Sequence, residues 1–138
     1  MKTDPFILLK RERRDGKTTI AVEYALMYAK MYGGDSVLFI SPNMNESTNV
    51  ARSRPVLVAN GINIRCLDEI DLVDLGNASC AIIDNIDFMT PSKVFALLRT
   101  MLSRQYLHIV VTGTPSPRFT MIDVLEQFDL RGLPRRIY

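Results

Sequence analysis

The sequence predicts an α/β protein with a parallel sheet of about five to six strands flanked by helices, in one domain over residues 1–138. Two features predict it. Short apolar runs alternate along the chain with longer stretches whose apolar residues recur at helical spacing. Strands separated by helices also need crossover connections, which leave neighbouring strands parallel and both faces of the sheet covered.

Residues 6–9, Phe-Ile-Leu-Leu, form the first apolar run and fit a buried strand. From Lys17 to Tyr32 the positions Ile20, Ala21, Tyr24, Ala25, Met27, Tyr28 and Met31 follow a helical period. Met27, Tyr28 and Met31 read as core. Gly33-Gly34 ends that helix, because glycine accepts the left-handed residue of a helix C-terminus. Residues 36–40 read as the second strand. A helix over residues 45–60 follows, and Pro55 within it predicts a kink or a division into two pieces. Arg52 and Arg54 on this helix are expected to face solvent.

Gly61 closes that helix, and residues 62–67 alternate apolar and polar as a third strand does. Residues 68–75 predict a short helical turn. Residues 78–84 are an apolar run ending in an acid, the pattern of a strand covered on both faces. Thr90 is placed to cap a helix with Pro91 in its first turn, and Val94, Phe95, Leu97, Leu98, Met101 and Leu102 give it an apolar face. Residues 107–111 read as the next strand, with His108 near its start expected as a satisfied or edge side chain. Residues 120–128 read as a last helix and residues 135–138 as a sixth strand.

An apolar fraction of 47% and a charged fraction of 23% suit a globular domain, and a net charge of +2 says little about a nucleic-acid partner. The distribution says more. Lys10, Arg11, Arg13 and Arg14 crowd one stretch, and Arg131, Arg135 and Arg136 another. Cys66 and Cys80 show neither CxxC spacing nor a histidine cluster, which argues against a disulfide framework or a structural metal. No stretch resembles a signal peptide or a membrane span, so a reducing, cytoplasmic compartment and no membrane partner are expected.

Ligands of such sheets bind beyond the carboxyl ends of the strands, and three motifs fall there. The first runs Arg11-Glu12-Arg13-Arg14-Asp15-Gly16-Lys17-Thr18-Thr19. It keeps the Gly-Lys-Thr of the phosphate-cradling G-x-x-x-x-G-K-[ST] loop, with Arg11 in place of the first glycine. Phosphate oxygens need free backbone N–H groups and the positive end of a helix dipole. Gly16 permits close approach, Lys17 can reach the β and γ phosphates, and Thr18 can ligate Mg2+. A basic loop before a surface helix is the plainer alternative.

The second motif is Asp84, at the tip of a buried strand, where a charge is costly without compensation. Metal-bound ATP would compensate it, as would a cap or a lysine pair. The third is Thr112-Gly113-Thr114-Pro115, whose hydroxyls are suited to sensing a γ-phosphate or to building a simple turn. Together the three predict a three-layer P-loop NTPase (RecA-like) fold.

These stretches resemble the large terminases, the viral DNA-packaging ATPases: residues 13–19 their arginine-bearing Walker A, Ile82-Ile83-Asp84 their Walker B, and residues 112–115 their coupling motif. The superfamily-two helicases present the same order. The resemblance implies ATP and Mg2+ as cofactors, with Asp15, Gly16, Lys17, Thr18, Thr19, Thr112 and Thr114 lining the nucleotide. It implies Thr18 and Asp84 at the metal, and Arg13 or Arg14 approaching the γ-phosphate in cis. DNA, a homo-oligomer or ring, and the host cytoplasm are the implied setting.

One departure is chemical. Both families follow the Walker B aspartate with a glutamate, and here Asn85 stands in its place, unable to take a proton. Slow hydrolysis is expected unless Asp87, Glu12 or a partner supplies the acid. The other departure is length: 138 residues do not hold the nuclease or second motor domain of those families, so the expectation is either a stripped-down relative or a fragment whose further domain lies beyond Tyr138. The sequence therefore supports an ATPase acting on nucleic acid, a weakened nucleotide-binding module that assembles with a partner, or an interaction domain that has lost the nucleotide.

Overall fold

The computed structural model describes residues 6–10, 17–114 and 135–137, without the side chains of Lys17 and of residues 135–137. Six strands, β1 (Phe6–Lys10), β2 (Val37–Ser41), β3 (Asn63–Cys66), β4 (Cys80–Ile83), β5 (His108–Gly113) and β6 (Arg135–Ile137), form one sheet in the order β3-β2-β4-β5-β1-β6. Every neighbouring pair is parallel. Five helices accompany them: α1 (Lys17–Tyr32), α2 (Met44–Ser53), α3 (Pro55–Ala59), α4 (Leu72–Asn77) and α5 (Pro91–Ser103). The α/β class and the parallel sheet flanked by helices are as the sequence predicts. The helix expected at residues 120–128 lies outside the described residues.

The strand order decides which helix covers which face. From β1 the chain moves across the sheet to β2 and on to the edge strand β3, then turns back through β4 to β5. Right-handed crossovers place helices on opposite faces when the direction of travel reverses. Side-chain parity agrees. Ile7, Leu9, Val37, Phe39, Ile82 and Val110 pack with Ala21, Tyr28, Val50 and Leu57 of α1, α2 and α3. Phe6, Leu8, Leu38, Ile40, Ile83 and Val111 pack with Leu75 of α4 and Val94, Leu98 and Met101 of α5.

Local chemistry sets the element ends. Gly33 (φ 96°) terminates α1, its N–H bonded to the Ala29 carbonyl at 2.8 Å. Pro55 divides the expected 45–60 helix into α2 and α3, the second of the two outcomes that its missing N–H allows. Asn43 caps α2 by accepting from the Glu46 N–H at 2.9 Å. Asp71 and Asp74 form a reciprocal capping box on α4.

Two expectations need correction. Thr90 occupies the cap position of α5, yet its side chain makes no capping bond and Pro91 alone starts the helix. Met31, read as core, is 47% exposed because it sits on the outer flank of α1's last turn. His108 is satisfied, as expected, but on the interior strand β5 and not at an edge. Its ring stacks on Tyr28 (centroids 4.6 Å, planes 5° apart), and its Nε2 hydrogen-bonds the Tyr32 hydroxyl at 2.9 Å.

Two glycines should respond oppositely to alanine. A Cβ on Gly34 would lie 1.7 Å from the Asn60 carbonyl oxygen, a backbone atom that cannot step aside. Gly34→Ala should lower stability by about 1–3 kcal/mol or more. A Cβ on Gly76 meets only the flexible Arg104 guanidinium at 3.3 Å. Gly76→Ala should therefore be neutral or stabilising by up to about 1 kcal/mol, and urea unfolding of both variants checks the contrast.

Burial pushes the Cys80 thiol up from 9.0 to about 11, and burial likewise raises the Tyr106 hydroxyl from 10.0 to about 12. Between their unfolded and folded values the native state holds protons that the unfolded chain has released. The stability these groups contribute is whole below about pH 9 and is lost as pH climbs through 11 and 12. Urea midpoints should fall over that window, and Cys80→Ser should blunt the lower part of the fall.

Candidate functional site

The carboxyl ends of β1, β4 and β5 and the amino end of α1 lie at one edge of the sheet, with α1 packed on one face and α5 on the opposite face. Arg13, Arg14, Asp15 and Gly16 lie outside the described residues. Lys17 opens α1, where the first backbone N–H groups have no partner within the helix and carry partial positive charge.

Asp84 follows the last residue of β4 and is 1% exposed. Its Oδ2 accepts a hydrogen bond from the Thr18 hydroxyl at 3.1 Å, and its Oδ1 accepts from the Thr112 hydroxyl at 2.5 Å. The Asn85 side-chain amide adds a longer bond to Oδ2 at 3.4 Å. Thr112, fully buried, in turn accepts from the Asn85 backbone N–H at 2.8 Å. First, second and third sequence motifs thus meet at one carboxylate. Parity explains the meeting: Ile82 and Val110 face α1, so Asp84 and Thr112, two residues on along their strands, turn toward its first turn.

Asp87 sits in the single helical turn of residues 86–88 beyond β4. Its Oδ2 accepts from the Thr114 backbone N–H at 2.6 Å, tying the end of β5 to the segment after β4 a second time. Its Oδ1 is buried and has no hydrogen-bond partner among the described residues. Thr114 thus meets Asp87 through its main chain. Asn85 between the two acids is left-handed (φ 60°, ψ 54°), a conformation that asparagine tolerates better than most side chains.

Sequence reasoning missed one participant. Arg54, expected to face solvent, is half-buried and donates from Nη2 to the Thr19 hydroxyl at 2.8 Å. The available signal was Pro55, which breaks the helix beside it and frees Arg54 from the helical surface. Arg52 is exposed as expected. His108 and its tyrosines lie at the opposite end of β5 and take no part in the site.

Both cysteines are free and buried, and among the described residues no three histidine, cysteine, aspartate or glutamate side chains gather as a metal cluster. Among the described residues no helix is long and apolar enough to cross a membrane. Neither the protein-family models nor the curated proteins include a match to this chain.

Thr112→Val keeps the shape of the side chain while removing a hydroxyl that serves both Asp84 and the Asn85 N–H. The variant should lose about 1–3 kcal/mol of stability, and Thr112→Ser should retain most of it. Denaturant unfolding of the pair tests whether the hydroxyl or the bulk matters.

Proposed function

We propose that this chain is an ATPase domain of the P-loop, RecA-like kind that acts on nucleic acid, with DNA packaging or translocation in the cytoplasm as its setting. The observation that carries the reading is the bond between Thr18, on the first turn of α1, and the buried Asp84 carboxylate. The parallel sheet brings a helix mouth after one strand and an acid at the tip of another to the same edge, and the bond joins residues 66 apart in the sequence. A ligand that needs amides, a hydroxyl and a carboxylate together would use that arrangement. Nucleotide with Mg2+ is such a ligand.

The donor set fits that group. A hydroxyl and a carboxylate oxygen at hydrogen-bond distance suit a magnesium ion that takes its remaining ligands from phosphate and water, which is why no all-protein cluster is required. In this reading Thr18 and Asp84 hold the metal, and the backbone from Gly16 to Thr19 with the Lys17 ammonium holds the phosphates. Thr112 keeps Asp84 oriented. Bound metal would supply charge neutralisation on the phosphates. Arg13 and Arg14, with the rest of the basic stretch at residues 10–14, are assigned to transition-state charge or to DNA phosphate.

A second reading has its own support. Asn85 cannot accept a proton, and its amide is turned toward Asp84. A weakened module that binds nucleotide and assembles with a partner or a ring of its own copies accounts for that residue. Asp87, with one buried carboxylate oxygen left over, is the candidate base if turnover occurs.

Calorimetric titration with ATP and magnesium, followed by a hydrolysis assay with DNA present, tests both. Lys17→Ala should weaken nucleotide binding by about tenfold or more, as loss of a charge-assisted phosphate contact does. Asn85→Glu should raise turnover by roughly a hundredfold if a general base is what the site lacks. Asp87→Asn should abolish whatever turnover the natural chain has. Wild-type protein that takes up no nucleotide at all would overturn both readings.

A further inference from the structure

Thr18 and Thr19 are consecutive residues at the mouth of α1, so their side chains leave the helix about 100° apart. The Thr18 hydroxyl points to Asp84. The Thr19 hydroxyl points to the other flank, where it accepts from the Arg54 guanidinium at 2.8 Å. Arg54 reaches it from the junction of two helices. It is at once the last cap of α2 and the residue before Pro55, and its backbone is fixed on both sides. Its N–H bonds the Val50 carbonyl at 2.8 Å, and its own carbonyl accepts from the Leu57 N–H at 3.0 Å. Leu57, fully buried among the core residues under α1, anchors the junction.

The geometry points to Arg54 as a positioning residue for bound nucleotide, acting through Thr19 on the flank of the helix mouth opposite Asp84; this rests on the nucleotide reading above. The chemistry is directional. A hydroxyl that accepts from a guanidinium keeps its own hydrogen to donate, and donation to a phosphate oxygen completes a chain from cation to anion. The cation polarises that hydroxyl and adds positive charge to a helix end that already favours anions. Among the described residues Thr19 is the partner of the Arg54 side chain, so no carboxylate cancels this charge. Metal and outer phosphate belong to the Asp84 flank. The Thr19 flank serves a phosphate common to nucleoside di- and triphosphates.

The test is calorimetric titration of the full chain with ADP and with ATP, each with magnesium, beside the thermal midpoint of ligand-free protein. The variants are Arg54→Met, Arg54→Lys, Thr19→Val and the Arg54→Met/Thr19→Val double. Arg54→Met keeps an apolar stem and should weaken ADP and ATP alike by about tenfold. Thr19→Val should do the same, and the double variant should be no weaker than either single, because both remove one chain of bonds. Arg54→Lys should recover part of the affinity, since an ammonium can donate to the same hydroxyl. Ligand-free midpoints should stay at the wild-type value.

Four results overturn the assignment. They are unchanged affinity in Arg54→Met, losses that multiply in the double variant, a loss confined to ATP, and a fall in the ligand-free midpoint that accounts for the weaker binding. Failure of the nucleotide reading is separately visible, as wild-type protein and Lys17→Ala would then be equally inert toward both nucleotides, and the Arg54 assignment would fall with it.

Discussion

A carboxylate with 1% of its surface exposed cannot remain in a sheet of valines and isoleucines without donors, and the site is organised around that requirement at Asp84. Desolvating such a charge costs several kcal/mol. What offsets it are hydrogen bonds from three parts of the chain: Thr18 on α1, Thr112 on β5 and the amide of Asn85. These donors are polar, and they hold the carboxylate at the mouth of a helix whose own end carries partial positive charge, an arrangement that a metal-bound polyphosphate would fit on the reading proposed above.

The same bonds fix α1. Its 16 residues run about 24 Å across the sheet. One end is held to β4 through Thr18 and Asp84, and the other to β5 through Tyr28 and Tyr32 against His108. Buried alanines between them, Ala21 and Ala25, bring the helix close to the strands. A helix pinned at both ends and packed tightly in the middle cannot rotate. Rotation by one residue would swing Thr18 away from Asp84 and put Thr19, with its Arg54 contact, in its place. The aromatic cluster far from the site therefore contributes to the site's precision through the rigidity of α1.

How much of this was legible in the sequence follows from the range of each interaction. The bounds of α1, the stop at Gly33 and the division of the 45–60 stretch at Pro55 rest on local chemistry, and they can be read from a few neighbouring residues. The convergence of Thr18, Asp84 and Thr112 was legible for a different reason: in parallel sheets every strand's carboxyl end faces the same side, so motifs at strand ends meet. Arg54 was not legible, because its partner lies 35 residues away and the contact depends on which helix crosses beside which. Met31 failed similarly, since periodicity marks a face but not how wide a strip of it the sheet can cover. The bond from the Thr114 main-chain N–H to Asp87 was not legible either, since nothing in a residue's identity tells where its backbone will be used.

The backbone at Asn85 shapes the surroundings of Asp84. A left-handed residue directly after Asp84 costs about 1–2 kcal/mol for an ordinary L side chain and less for asparagine. The turn also brings the Asn85 N–H to the Thr112 hydroxyl, which orients Thr112 toward Asp84. Conformation and side chain agree there: the position is shaped to support Asp84 and its amide is spent on it. Asp87 lies one turn further on, where the Thr114 N–H satisfies one oxygen and the other is buried without a partner among the described residues. On the reading proposed above, an acid near Asp84 would come from Asp87, from Glu12 or from a carboxylate that another molecule brings.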